Sequence, residues 1–169
     1  MRTRFLLALS ILVFAIPAYA QTPDARAQTL AGEFSKFKNE TRTKKGVNHT
    51  KYKEVVSEAW VAGAGAYAGH YLADDPIHLD IQIDANGNAR GSGRDEGPFQ
   101  LRDLKIAGGL ITGVKAYADG RTEKFEAVLL KRSARDSANE PFTMRYGIGM
   151  LADLSHAGVG EVRIFAEKQ

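Results

Sequence analysis

The sequence predicts an α+β chain: two short N-terminal amphipathic helices, then an antiparallel up-and-down meander of seven or eight strands curled into a barrel-like body. Three observations carry that expectation. Apolar residues recur at helical spacing between residues 24 and 60, and from residue 77 onward they alternate with polar ones. The alternating runs are also separated by tight glycine-containing turns, whereas a parallel crossover needs a dozen or more residues. Seven or eight strands in one sheet tend to curl, and closing the sheet removes the edges that invite aggregation.

Ahead of these elements stands an export signal. Arg2 and Arg4 precede the apolar run Phe5 to Ile16, and Pro17 with Ala18-Tyr19-Ala20 completes the charged, apolar and small-residue pattern of a cleavable signal peptide at 1–20. A run of that length is short for a bilayer span, which takes about 20 residues. The rest of the chain then divides into a helical segment, 21–62, and a β body, 63–169, forming one domain. Without residues 1–20 there are 21 Lys and Arg against 20 Asp and Glu, so no global field draws the chain to nucleic acid. The chain contains no cysteine, which excludes disulfides, thiolate metal sites and cysteine nucleophiles together.

The first helix starts at Asp24, a plausible N-cap, and presents Leu30, Phe34 and Phe37 on one face. Residues 39–48 are polar and read as a linker. A second helix is expected from about Thr50, where Tyr52, Val55, Val56, Ala59 and Trp60 form a full apolar stripe. Gly63 and Gly65 then end helical territory.

Strands are expected at 66–72, 77–83, 88–93, 98–106, 110–117, 122–131, 142–150 and 161–167. Asn86-Gly87 is a strong hairpin signal, and Gly108-Gly109 and Asp119-Gly120 supply further turns. The alternation of the strand at 98–106 fails around Arg102 and Asp103, as an extra residue in a bulge would make it do.

The chemistry-bearing groups form no complete motif. Asp84, Asn86, Asn88 and Asp95 approximate the spacing of a calcium loop but lack its glycine and terminal glutamate, so a hairpin turn is the better reading. His70, His78 and Asp80 are the best metal-ligand set, drawn from adjacent strands. Ser92 and Ser155 lack the G-x-S-x-G elbow, and Ser155 and His156, as neighbours on a strand, would face opposite sides. Residues 36–53 hold seven Lys and Arg against Glu40, a basic front that could dock on an anionic envelope surface.

The layout of a signal followed by a meander is similar to that of the lipocalin-like calycins, small barrels that hold apolar ligands. It departs from their early G-x-W, because Glu58 stands two residues before Trp60. The expected function is that of an exported, periplasmic or secreted, non-catalytic module binding a small apolar ligand or a protein partner. No cofactor, metal or catalytic residue is assigned. Phe99, Leu101, Phe125, Leu129, Phe142, Met144 and Tyr146 are expected to line the interior and any ligand site. An extracytoplasmic hydrolase or metal enzyme on the same body is the alternative from another class.

Overall fold

The computed structural model describes residues 23–35, 40–44, 47–51, 56–74, 77–135, 139–155 and 158–169. Helix α1 spans Ala25–Ser35, and the strands are β1 (Glu40–Lys44), β2 (Val47–Lys51), β3 (Val56–Ala59), β4 (Gly69–Ala73), β5 (His78–Ile83) and β6 (Ala89–Arg94). They continue with β7 (Pro98–Ala107), β8 (Leu110–Tyr117), β9 (Thr122–Ala134), β10 (Thr143–Asp153) and β11 (Glu161–Lys168), and a single turn of helix, α2 (Ala64–Tyr67), precedes β4.

Strands β4 to β11 pair in chain order, all antiparallel, and β11 returns to β4, so the meander closes into an eight-stranded barrel. Alternation explains the core. On β5, Leu79, Ile81 and Ile83 are buried between His78, Asp80 and Gln82, and Phe125, Ala127 and Leu129 do the same on β9. With Tyr71, Phe99, Ile111, Ile148 and Ile164 they fill the interior. At Asp103 the backbone takes φ 54°, and the β7–β8 register shifts between Arg102 and Lys105, so the irregularity in the alternation is a bulge that bends the strand.

Of the two amphipathic helices expected, only α1 is found among the described residues. Asp24 Oδ1 accepts the N–H of Arg26 at 2.7 Å, the N-cap that its side chain predicts, and Asp24 N–H donates to Gly108 at 2.8 Å. Ala27, Leu30, Ala31 and Phe34 then cover Val128 and Leu130, the outward residues of β9. Phe37 lies outside the described residues.

The second helix expected from Thr50 is not formed. Thr50 and Lys51 belong to β2, which pairs with β1, and Val56–Ala59 is a strand. The reason is tertiary: β8 ends opposite Val128, and β3 takes up the same edge of β9 beyond it, from Ala59↔Leu130 to Val56↔Ser133. That ladder outweighs the helical spacing of a stripe containing β-branched residues, of which Tyr52 and Val55 lie outside the described residues. Gly63 and Gly65 likewise flank or enter the turn of α2, so β4 starts at Gly69 and not at residue 66.

Candidate functional site

Of the residues expected to line the interior, Phe99, Leu101, Phe125 and Leu129 are buried inside the barrel. Tyr146 is half-buried against Trp60, with ring centroids 4.6 Å apart. Phe142 and Met144 are not interior, being 46% and 50% exposed. Both stand where β9 and β10 rise past the end of β8, above the closed ring, and Phe142 instead lies under the Arg135 guanidinium.

The other candidates are dispersed or satisfied locally. Asp84 Oδ1 accepts from the N–H groups of Asn86 and Asn88 at 2.8 and 2.9 Å, so the calcium-like spacing closes a hairpin loop. His70 Nε2 meets Asp80 Oδ1 at 3.0 Å, whereas His78 turns to Asp74 at 3.2 Å, which splits the proposed metal set. No group of three ligating side chains occurs among the described residues. Ser92 stands directly opposite Asp80, and the Ser155 hydroxyl donates to Asp153. An acid interposed between Ser92 and His70 is the wrong order for a base to take the serine proton.

The site that sequence reasoning missed lies at the end of the barrel formed by the β6–β7, β8–β9 and β10–β11 connections. There Lys115, on the inner face of β8, reaches Asp95 at 2.5 Å; their side chains are 10% and 6% exposed. The Tyr117 hydroxyl is 3.0 Å from both oxygens of Asp95 and 3.1 Å from Glu123. Outside them, Arg121 bridges Glu96 at 2.7 Å and Glu123 at 3.3 Å, its guanidinium 4.2 Å from the Tyr117 ring centroid.

Burial by itself pushes the Asp95 carboxyl up, but hydrogen bonding and charge from Lys115, with help from Tyr117, hold it below the usual carboxylate range. Burial, then Asp95 and Glu123, push the Tyr117 phenol well above its ordinary value. Tyr117 is therefore a fixed donor at neutral pH.

This cluster borders an opening in the wall. The ladder between β9 and β10 runs from Thr143↔Ala134 to Gly149↔Val128 and stops. Below it β9 keeps its partner β8 down to Ala116↔Thr122, and β10 keeps β11 down to Asp153↔Glu161. The edges that face each other there, at 123–127 and 150–153, do not pair with one another. A cavity of about 200 Å³ occupies the seam, lined on its inner side by Asp95, Lys115, Glu123, Phe125, Met150 and Ala152. Lys124, Glu126, Leu151 and Asp153 form its outer rim.

A second seam flanks the same hairpin. Among the described residues β11 pairs with β4 at Glu167↔Leu72 and Lys168↔Tyr71, and the Gln169 N–H donates to the His70 carbonyl at 2.9 Å. Among the described residues the lower half of the β10–β11 hairpin thus pairs with neither β9 nor β4, and it is held by inward contacts of Met150, Ala152 and Ile164 and from outside by Arg163, which bonds Glu33 of α1. Local pattern offered no sign of this, because each strand alternates normally and the gap exists only in the pairing.

No family model matches the chain, and neither does any curated protein or solved structure.

Proposed function

We propose that the protein is an exported, non-catalytic binding module that engages a protein partner along the β9–β10 seam. The observation that carries this reading is the pair of unladdered edges around a polar cavity in the wall of an otherwise filled barrel. Unpaired strand edges offer rows of backbone donors and acceptors, the groups that another chain's backbone recognises. The interior argues against an apolar ligand. Its largest side chains, among them Tyr71, Phe125, Leu79, Ile81 and Ile148, are wholly buried against one another. The seam cavity, at about 200 Å³, is also smaller than the roughly 300–1,000 Å³ of ordinary small-molecule sites.

Two measurements test the reading. Titration with long-chain fatty acids, followed by the fluorescence of Trp60, is expected to give no saturable change. Saturation at micromolar ligand would move the site into the barrel and overturn the proposal. Amide hydrogen exchange of the free protein is expected to be fast at 123–127 and 150–153 and slow in the paired stretch 143–149. Equal protection throughout would mean that the seam is closed.

A further inference from the structure

A second hollow lies on the outer wall over β5, β6 and β7, four strands round the barrel from β10. The outside of a small closed barrel is convex, and glycine accounts for the exception. Residues 91 and 93 of β6 face the core, level with Ile81 and Leu101 and with Leu79 and Phe99, and both are glycine. A Cβ at Gly91 would stand 2.7 Å from the Asp80 carbonyl oxygen, and one at Gly93 would stand 2.6 Å from that of His78. Lacking inward side chains, β6 lies close on the core, and a cavity of about 320 Å³ opens above it.

The strand register gathers polar side chains around this hollow. Asp80, Ser92 and Gln100 form one outward row across the three strands, and Gln82 and Arg90 form part of the next. Arg90 donates from Nε and Nη2 to Gln82 Oε1 at 3.1 and 2.7 Å. A guanidinium offers only donors, so the amide oxygen of Gln82 faces it and the amide nitrogen faces away. On the β4 side, His70 Nε2 stands 3.0 Å from Asp80 Oδ1 and fixes that carboxylate. Asp80 Oδ2, the Ser92 hydroxyl and the Gln100 amide have no hydrogen-bond partner among the described residues.

The lining selects a class of ligand. Its one carboxylate, Asp80, is matched by one guanidinium, Arg90, so an anion meets a like charge in the first and a cation in the second. An apolar ligand would find only Gly91 and the edge of Leu101, which is 7% exposed. Hydroxyls on adjacent ring carbons meet neither obstacle. Each donates and accepts, and two neighbours span the paired atoms of a carboxylate, an amide or a guanidinium. The volume also falls within the roughly 300–1,000 Å³ of small-molecule sites.

We propose that the outer face of β5 to β7 binds a neutral sugar ring, its hydroxyls bonded by Asp80, Arg90 and Gln100. The site is independent of the β9–β10 seam, so either can fail without the other.

Backbone amide shifts of the ¹⁵N-labelled protein, titrated with glucose, galactose, mannose and N-acetylglucosamine, test this. At least one sugar is expected to saturate, with a Kd of about 1–10 mM for so small a ligand, and to shift residues 80–82, 90–92 and 100. Asp80→Asn and Gln100→Ala are each expected to weaken binding about fivefold or more while leaving the rest of the spectrum in place. Saturation by none of the four sugars would overturn the proposal, as would unchanged affinity in both variants. Equal shifts from sorbitol, an open-chain polyol, would overturn it by removing ring recognition. Inorganic phosphate binding there more tightly than every sugar would overturn it in favour of an anion site on Arg90. Sugar-induced shifts confined to 123–127 and 150–153 would overturn it by moving the ligand to the seam.

Discussion

Glu33 on α1 and Arg163 on β11 stand 130 positions apart in the chain and meet on the outside of the barrel, with Arg163 Nη2 2.9 Å from Glu33 Oε2. The same guanidinium donates through Nε to the main-chain carbonyl of Glu33 at 3.1 Å. This two-point contact fixes the angle at which the helix lies on β9 and β10. On β10, Gly149 leaves room for the Phe34 ring and for Leu130: a Cβ there would stand 2.5 Å from the Leu130 side chain and 2.7 Å from the Phe34 ring.

Docking of α1 therefore depends on a large residue and an absent one. Phe34→Ala should cost about 3 kcal/mol, the low end for truncating a buried Phe, because water can follow it from the barrel surface. Gly149→Ala should cost about 1–3 kcal/mol by overpacking. Denaturant unfolding of both single variants and the double variant checks the contact. The double variant should lose less than the sum, with the part of the Gly149→Ala cost that comes from Leu130 remaining, and strict additivity would show that Phe34 adds nothing to the crowding at Gly149.

The Asp95–Lys115 pair makes stability depend on pH. Because the folded-state carboxyl is held below its unfolded value, Asp95 contributes stability above the ordinary carboxylate pKa, about 3.9. That contribution is lost as pH falls from there through the depressed folded value. Asp95→Asn should cost about 3 kcal/mol at neutral pH by leaving Lys115 buried without its partner, and should flatten the acid limb. Asp95→Leu with Lys115→Met should recover most of the loss. An unchanged acid limb in Asp95→Asn would remove the pair from the account.

Backbone strain at the β7 bulge is specific to one position. Asp103 sits at φ 54°, where Asp and Asn are tolerated and β-branched residues are not. Asp103→Val should destabilise by about 1–2 kcal/mol and Asp103→Gly by little or nothing. Thermal unfolding compares them, and equal midpoints would mean that the bulge relaxes.

At the opposite end, Trp60 packs edge-on to Tyr67 at 5.9 Å, and the Lys168 ammonium stands 5.7 Å from its ring centroid. Lys168 Nζ also donates to the Ala66 carbonyl at 3.1 Å, tying the last strand to α2. Lys168→Ala should cost about 1 kcal/mol and shift the emission of Trp60, the chain's one tryptophan. An emission spectrum identical to that of the parent would show that Lys168 does not hold this cap.

How much was legible beforehand follows from the range of each interaction. Alternation and turn chemistry are local, so the strands at 78–83, 110–117 and 161–168 stand at or within one residue of where their patterns put them. The bulge at Arg102 and Asp103 was equally visible, since an extra residue breaks a period of two. Helix α1 was legible through Asp24, Leu30 and Phe34 for the same reason. The segment Val56–Ala59 was not. Its spacing suits a helix, but the edge of β9 left open beyond β8 offered a ladder that helical packing could not match.

The candidate site was legible only as separate letters. In the sequence Asp95 stood only at the far end of the calcium-like spacing, and Lys115 only inside the strand expected at 110–117. Burial and proximity across β6–β7, β8 and β9 made them a pair. Composition and period by themselves determined the antiparallel succession of β4 to β11 and the buried faces of strands such as β5 and β9, because burying every second side chain is decided residue by residue. Closure of the ring at Glu167↔Leu72, and the place where the β9–β10 ladder stops, were decided by tertiary structure. Pairing and its termination depend on strand tilt and on the length of each neighbour, quantities that no single strand's sequence contains.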